Sequence, residues 1–158
     1  MDVGQGDAIW VETWEGKSLV IDGGRRRSGF ASYLSRNKVK EVQALVSTNP
    51  DADHIGGLIE VLNSMPVKEV WISGQENTTI TFEDFVDAIG KSGDQVHRAR
   101  RGDKFNLGSL VVEVLHPVEP FFPGRNNNSV VVKLRFGEVS FLFAGDAEKE
   151  AEASMIAA

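Results

Sequence analysis

A chain of 158 residues, 41% hydrophobic and 25% charged, is long enough for one domain with its own core and ordinary in composition for a globular protein. Its net charge of -6 excludes a general attraction to polyanions, so any phosphate contact needs a local basic patch. The absence of cysteine excludes disulfides and thiolate zinc sites, and no apolar run reaches the length of a membrane span.

In chain order, "DAIWVET" alternates, "KSLVID" is a short apolar run, and the "WEGK" turn between them marks a β-hairpin. "GGRRRSG" reads as a loop, and "FASYLSRN" as a short helix. "VQALVST" is short, apolar and flanked by polar residues, as a buried strand is. Leu58, Ile59, Val61 and Leu62 recur at helical spacing, which predicts a helix from Gly56 to Ser64, stopped by Pro66. "VKEVWIS" predicts a strand. "TITFEDFVDAIGKSG" predicts a helix with Thr81 as N-cap, Asp84 at its third position and Gly93 as terminator. Four strand-like runs follow: "QVHRA", "LVVEVLH", "VVVKLRF" and "VSFLFA", the last two joined by a tight "GE" turn. "AEKEAEASMIAA" is rich in helix formers. Interleaved strands and helices followed by a strand-rich part predict an α/β or α+β fold with a mixed sheet. The long loop "HPVEPFFPGRNNN" has a length often found in functional loops.

The chemistry collects at strand ends. Asp51, Asp53 and His54, in "STNPDADHIGG", lie between a strand end and a helix start. Carboxylates with imidazole suit zinc, manganese or iron. The alternative is an aspartate N-cap with solvated neighbours. Asp146 in "FLFAGDAE" and Asp22 in "LVIDGG" end two further apolar strands, and Asp2 and Asp7 frame the turn "DVGQGD". Acids at four strand ends favour converging metal ligands. Arg25, Arg26 and Arg27 form one basic loop and Arg98, Arg100 and Arg101 another; both could meet phosphates, or be solvated loop charges. Phe121 and Phe122 could stack on bases or pack over the core. His97 and His116 read as structural or surface histidines, and no base is evident for a serine nucleophile.

The motifs "MDVGQGDAIWVET", "SLVIDGG", "STNPDADHIGGL", "VKEVWIS" and "NNNSVVVKLRFGEVSFLFAGDAE", in that order, resemble the metallo-β-lactamase superfamily. In particular they resemble its ComEC-like branch, the C-terminal domain of the DNA-internalisation competence protein and its stand-alone relatives. The resemblance runs from Met1 to about Glu152. It implies a single domain over residues 1–158 with an αββα sandwich and a metal site at one edge, here shortened to its N-terminal part. It implies metal-dependent hydrolysis of phosphodiesters or nucleic acid, as in competence-related DNA uptake. By the same resemblance Asp51, Asp53, His54 and Asp146 are metal ligands for zinc or manganese, and Asp53 is also the catalytic residue. Asp22 buttresses the loop, and Asn49, Asn128 and Ser129 stand beside the site. Arg25, Arg26 and Arg27 would hold substrate.

Asn49 occupies the place where the family has its first histidine, and an amide oxygen is a weaker ligand than imidazole. We therefore expect weak or substoichiometric metal and little turnover; a non-catalytic binding module is the competing reading. Apolar strands beyond what half a sandwich covers predict a homo-oligomer. No membrane contact is expected from the chain itself. Its location would be cytoplasmic if it stands alone, and extracytoplasmic if it belongs to a larger membrane protein.

Overall fold

The computed structural model describes residues 2–92 and 95–158. Strand β1 (Ala8–Glu12) pairs antiparallel with β2 (Ser18–Gly23). Helix α1 (Phe30–Arg36) leads to β3 (Val42–Ser47), α2 (Ala52–Ser64) to β4 (Val67–Ile72), and α3 (Ile80–Ser92) to β5 (Gln95–Arg98). The sheet order is β1-β2-β3-β4-β5, with β2 to β5 all parallel. Strands added in one direction through right-handed crossovers put every crossover helix on the same face. Val20, Leu45 and Val70 pack there beneath Phe30, Leu34, Ile55, Leu58 and Phe85.

The opposite face is free for a second sheet. It consists of β6 (Lys104–Leu107), β7 (Leu110–His116), β8 (Val131–Phe136) and β9 (Val139–Phe143), an antiparallel meander in that order. The period of two along β7 and β8 turns Leu110, Val112, Val114, Val132 and Leu134 inward, against Leu19, Ile21, Ala44 and Val46 of the first sheet. Full burial of each such aliphatic side chain contributes about 1.5–3 kcal/mol. Trp71 stacks between His97 at 4.3 Å and Phe105 at 4.6 Å, closing the side of this core. Helix α4 (Lys149–Ile156) rests on the end of β7, where Arg101 donates to Ser154 at 2.8 Å and Ala151 is fully buried. The α/β prediction with a mixed sheet holds.

Three local readings need correction. Helix α2 starts at Ala52 rather than Gly56, so Asp53 and His54 belong to its first turn and not to a loop. Gly56 and Gly57 do not break the helix; they let it touch the end of β2, where the Gly57 N–H donates to the Gly24 carbonyl at 2.9 Å. Helix α3 begins one residue before Thr81, and its first turn is capped by Thr79, which accepts the Phe82 N–H on both its carbonyl, at 3.0 Å, and its hydroxyl, at 3.3 Å. Gly93 lies outside the described residues. Strand β6 has only four residues, too few to show a period, and was not anticipated.

Parallel strands send all their C-terminal ends to one edge. The loops after β2, β3, β4 and β5 therefore meet there, and antiparallel β1 brings the turn preceding it to the same place. In the second sheet the end of β7, the start of β8 and the end of β9 face that edge too. The Val130 N–H donates to the Thr48 carbonyl at 2.7 Å, joining the two sheets across it. At the other end, the Ser109 N–H donates to Glu15 at 3.0 Å.

Candidate metal centre

His54 sits at the middle of this edge and is 1% exposed. Its Nδ1 lies 2.8 Å from Asp22 Oδ2, and its Nε2 lies 3.1 Å from Asp146 Oδ2. Asp22 is wholly buried. Its Oδ1 accepts the Thr48 N–H at 2.8 Å, and its Oδ2 accepts the Thr48 hydroxyl at 2.6 Å as well as the His54 Nδ1–H. Its backbone is left-handed, with φ +55°, a conformation that aspartate tolerates better than most residues. Burial pushes the Asp22 carboxyl up, and the His54 and Thr48 hydrogen bonds pull it back.

Burial alone would push the His54 imidazole down. The Asp22 hydrogen bond and charge, with the charges of Asp146 and Asp53, outweigh it and hold the group at about 9. The environment of Asp22 and Asp146 thus favours the imidazolium form of His54. The sign for stability follows directly: a pKa raised above its unfolded value of about 6.5 stabilises the fold in full below that pH. The contribution disappears as pH rises through 9. We expect metal-free protein to lose up to about 3 kcal/mol between pH 6.5 and 9.5, read as a falling melting temperature in the presence of a chelator. A flat profile across that window would contradict the ion pair.

The carboxylates of Asp7 and Asp22 and a ring nitrogen of His54 lie within 4.8 Å of one another. Asp7 stands beside His54 because the "DVGQGD" turn folds over the start of α2, with Gly6 against the Asp53 backbone. Asp22 has both oxygens engaged, so it orients the imidazole, as the carboxylate behind a metal-bound histidine does. His54 with Asp7 and Asp22 gives a nitrogen–oxygen group of the kind that suits zinc or manganese, and Asp146 lies 3.1 Å from His54 Nε2.

Asp51 takes a different direction. Its Oδ1 accepts from Arg125 Nε and from Asn77 Nδ2, each at 3.0 Å. Asn49 is 1% exposed, and its Oδ1 accepts the Asp51 N–H at 2.9 Å. That leaves Asn49 Nδ2, a donor, buried without a partner among the described residues. An N–H₂ group cannot ligate a cation, so only the Asn49 oxygen, which already accepts one hydrogen bond, could stand in for an imidazole nitrogen. On the Asn49–Asp51 side Asn49 Oδ1 and Asp51 Oδ1 both accept from the chain's own donors, whereas His54 stands in a nitrogen–oxygen group that fits an ion.

The other anticipated residues are placed as follows. Arg26 pairs with Asp84, and the Arg27 N–H donates to Glu60 at 2.7 Å, so part of the 25–27 loop is tied to α2 and α3. Asn128 accepts the Phe122 N–H and donates to the carbonyls of Phe122 and Gly124, holding the long loop against the edge. Ser129 is buried, and its hydroxyl has no partner among the described residues. His116 is buried, kept low in pKa by that burial, and donates from Nε2 to the Asn127 carbonyl at 2.8 Å. Arg100 pairs with Glu119 and lies over the Phe121 ring at 5.0 Å, which uses it as a loop staple. Sequence reasoning did not single out Thr48, Asn77 or Arg125. Thr48 lay inside the quoted loop; the other two reach the site across 26 and 74 residues, a separation that leaves no local signal.

The family model for the metallo-beta-lactamase superfamily matches residues 1–158. ComE operon protein 3 of Bacillus subtilis (strain 168) is 28% identical over 96% of this chain and 22% of its own length. Recombination protein 2 of Haemophilus influenzae is 26% identical over 96% of this chain and 18% of its own length. The chain thus spans about a fifth of these curated relatives. Among solved structures, a metallo-beta-lactamase with the HARLDQ motif from Cronobacter sakazakii superposes with a TM-score of 0.63 at 15% identity, over 90% of this chain and 54% of that one. The fold is shared over part of that protein's length.

Proposed function

The chain belongs to the metallo-beta-lactamase superfamily, and from that premise we propose that it is a metal-dependent phosphodiesterase with a single-ion centre and slow turnover, acting on nucleic-acid backbones. The observation that supports this most is His54 itself. One ring nitrogen is fixed by a buried carboxylate at 2.8 Å, and the other faces Asp146 at 3.1 Å in an acidic cluster. In our reading His54 Nε2, Asp146 and Asp53 hold a zinc or manganese ion. When bound, such an ion lowers the pKa of a water and polarises a phosphoryl oxygen.

The chain's own residues do the rest. Asp22, with Thr48, holds the imidazole in one orientation and keeps Nδ1 protonated, so Nε2 is the nitrogen left for the ion. Asp53, on the first turn of α2, accepts the proton of the attacking water. Asn128 keeps the long loop closed over the edge.

The test is hydrolysis of bis(p-nitrophenyl) phosphate and of a short single-stranded DNA, with added zinc or manganese and with chelator. Expected are slow, chelator-sensitive turnover and a fall of about 10²–10⁴-fold in Asp53→Asn, as for a lost general base. Metal binding without turnover on either substrate would favour the non-catalytic binding module instead.

Self-association is part of the same reading. Strand β9 is an open edge carrying Val139, Phe141 and Leu142, all more than half exposed. Beside it lies a cavity of about 380 Å³ lined by Val11, Leu110, Leu134 and Phe143. A second copy of the chain covers this face, and Leu142→Lys, which puts a charge on the edge, should disperse the assembly. Light scattering that reports a monomer for the unmodified chain across micromolar concentrations would contradict it. No helix among the described residues is long and apolar enough to cross a membrane.

A further inference from the structure

The site as read so far is strongly acidic, and a phosphodiester is an anion. Asp7, Asp51, Asp53 and Asp146 all sit at or beside it. One bound divalent ion does not offset that many carboxylates, so an anionic substrate needs a further cation aimed at the same place.

Arg125 is such a cation beside the site. Its Nε donates to Asp51 Oδ1 at 3.0 Å, and its side chain is 52% exposed. Its two terminal nitrogens make no hydrogen bond with another described residue. The residues after it are anchored on the far side of the site: Asn126 donates to Glu148 at 3.0 Å and Asn127 to Glu150 at 2.8 Å, both just past Asp146. The loop therefore spans from the Asp51 turn to the Asp146 turn, and Arg125 stands at its Asp51 end. Asp51 itself accepts an Asn77 N–H and follows an Asn49 whose oxygen is already used. On this side the chain supplies a guanidinium held in place by Asp51.

We propose that Arg125, held through Nε by Asp51, receives the phosphate group of the substrate on its free terminal N–H groups. This rests on the phosphodiesterase reading and names the residue that orients its substrate. A guanidinium fixed at one corner keeps two parallel donors for phosphate oxygens, a fork that lysine lacks.

The test measures binding of inorganic phosphate and of manganese to the unmodified chain, Arg125→Ala and Arg125→Lys. Phosphate affinity should fall about 10–100-fold in Arg125→Ala, the worth of a lost charged hydrogen-bond pair. Arg125→Lys should recover only part of it. Manganese affinity should stay equal or rise, because a cation has been removed beside the site. This split separates substrate recognition from structural support, which would lower both affinities together. Unchanged phosphate affinity, a joint fall, or full recovery by lysine would overturn the proposal. If the unmodified chain binds no manganese, the hydrolase reading fails, and the phosphate comparison on the metal-free protein still decides the role of Arg125.

Discussion

His54→Ala is expected to destabilise the domain by about 3–5 kcal/mol, the range for removing one partner of a buried ion pair, and to abolish transition-metal binding. Asp22 is wholly buried and loses its cation, keeping only the two Thr48 donors. The substitution also leaves a void in the first turn of α2, which adds to the loss. Asp22→Asn should cost less, because an amide oxygen still accepts from Thr48 and no buried carboxylate is left without its cation. Urea unfolding near pH 6.5, where the imidazolium is fully formed, gives the largest difference. A loss under 1 kcal/mol for His54→Ala would mean that the Asp22–His54 pair contributes little and that the centre is not built around it.

Gly6→Ala should be the most damaging change in the "DVGQGD" turn. Gly6 has φ +87°, and a Cβ there would overlap the Asp53 carbonyl, a backbone atom that cannot swing aside. The left-handed conformation adds about 1–2 kcal/mol for alanine, and the forced displacement about 1–3 kcal/mol more. The turn would lift from the start of α2, taking Asp7 away from His54. Metal affinity should fall about 10–100-fold, as for other disturbed supports of a metal site. Gly4 is the internal control. It has φ +74° in the same turn but open space around its Cβ position, so Gly4→Ala should cost only the backbone strain and leave metal affinity unchanged. Equal effects of the two substitutions would show that the turn does not position the centre.

Much of this was legible in the sequence, for identifiable reasons. Short apolar runs punctuated by glycine and asparagine announced β2, β3, β4, β7, β8 and β9, and all of these but β9 are buried on at least one face. The acids at strand ends were legible because parallel strands deliver their C-terminal ends to one edge. The start of α2 was not, because Gly56–Gly57 reads locally as a break. Only the packed fold reveals that these glycines admit the end of β2. Asn49 stood out as a departure, but its oxygen is committed to the Asp51 N–H, which no pattern discloses. The direction of Asp51 was equally hidden, since its partners are Asn77 and Arg125 rather than a neighbour in the motif. Phe136, Val139, Phe141 and Leu142 belong to runs read as more apolar than half a sandwich covers, and all four are exposed in the second sheet.

The proposed single-ion centre is organised by His54 between Asp22 and Asp146. Equilibrium titration with manganese and with zinc, on the unmodified chain and on Asp146→Asn, tests it most directly. Expected are no more than one ion per chain, an affinity that rises with pH as the Nε2 proton is released, and loss of binding in Asp146→Asn. Two tightly bound ions in the unmodified chain, or undiminished binding in Asp146→Asn, would contradict it.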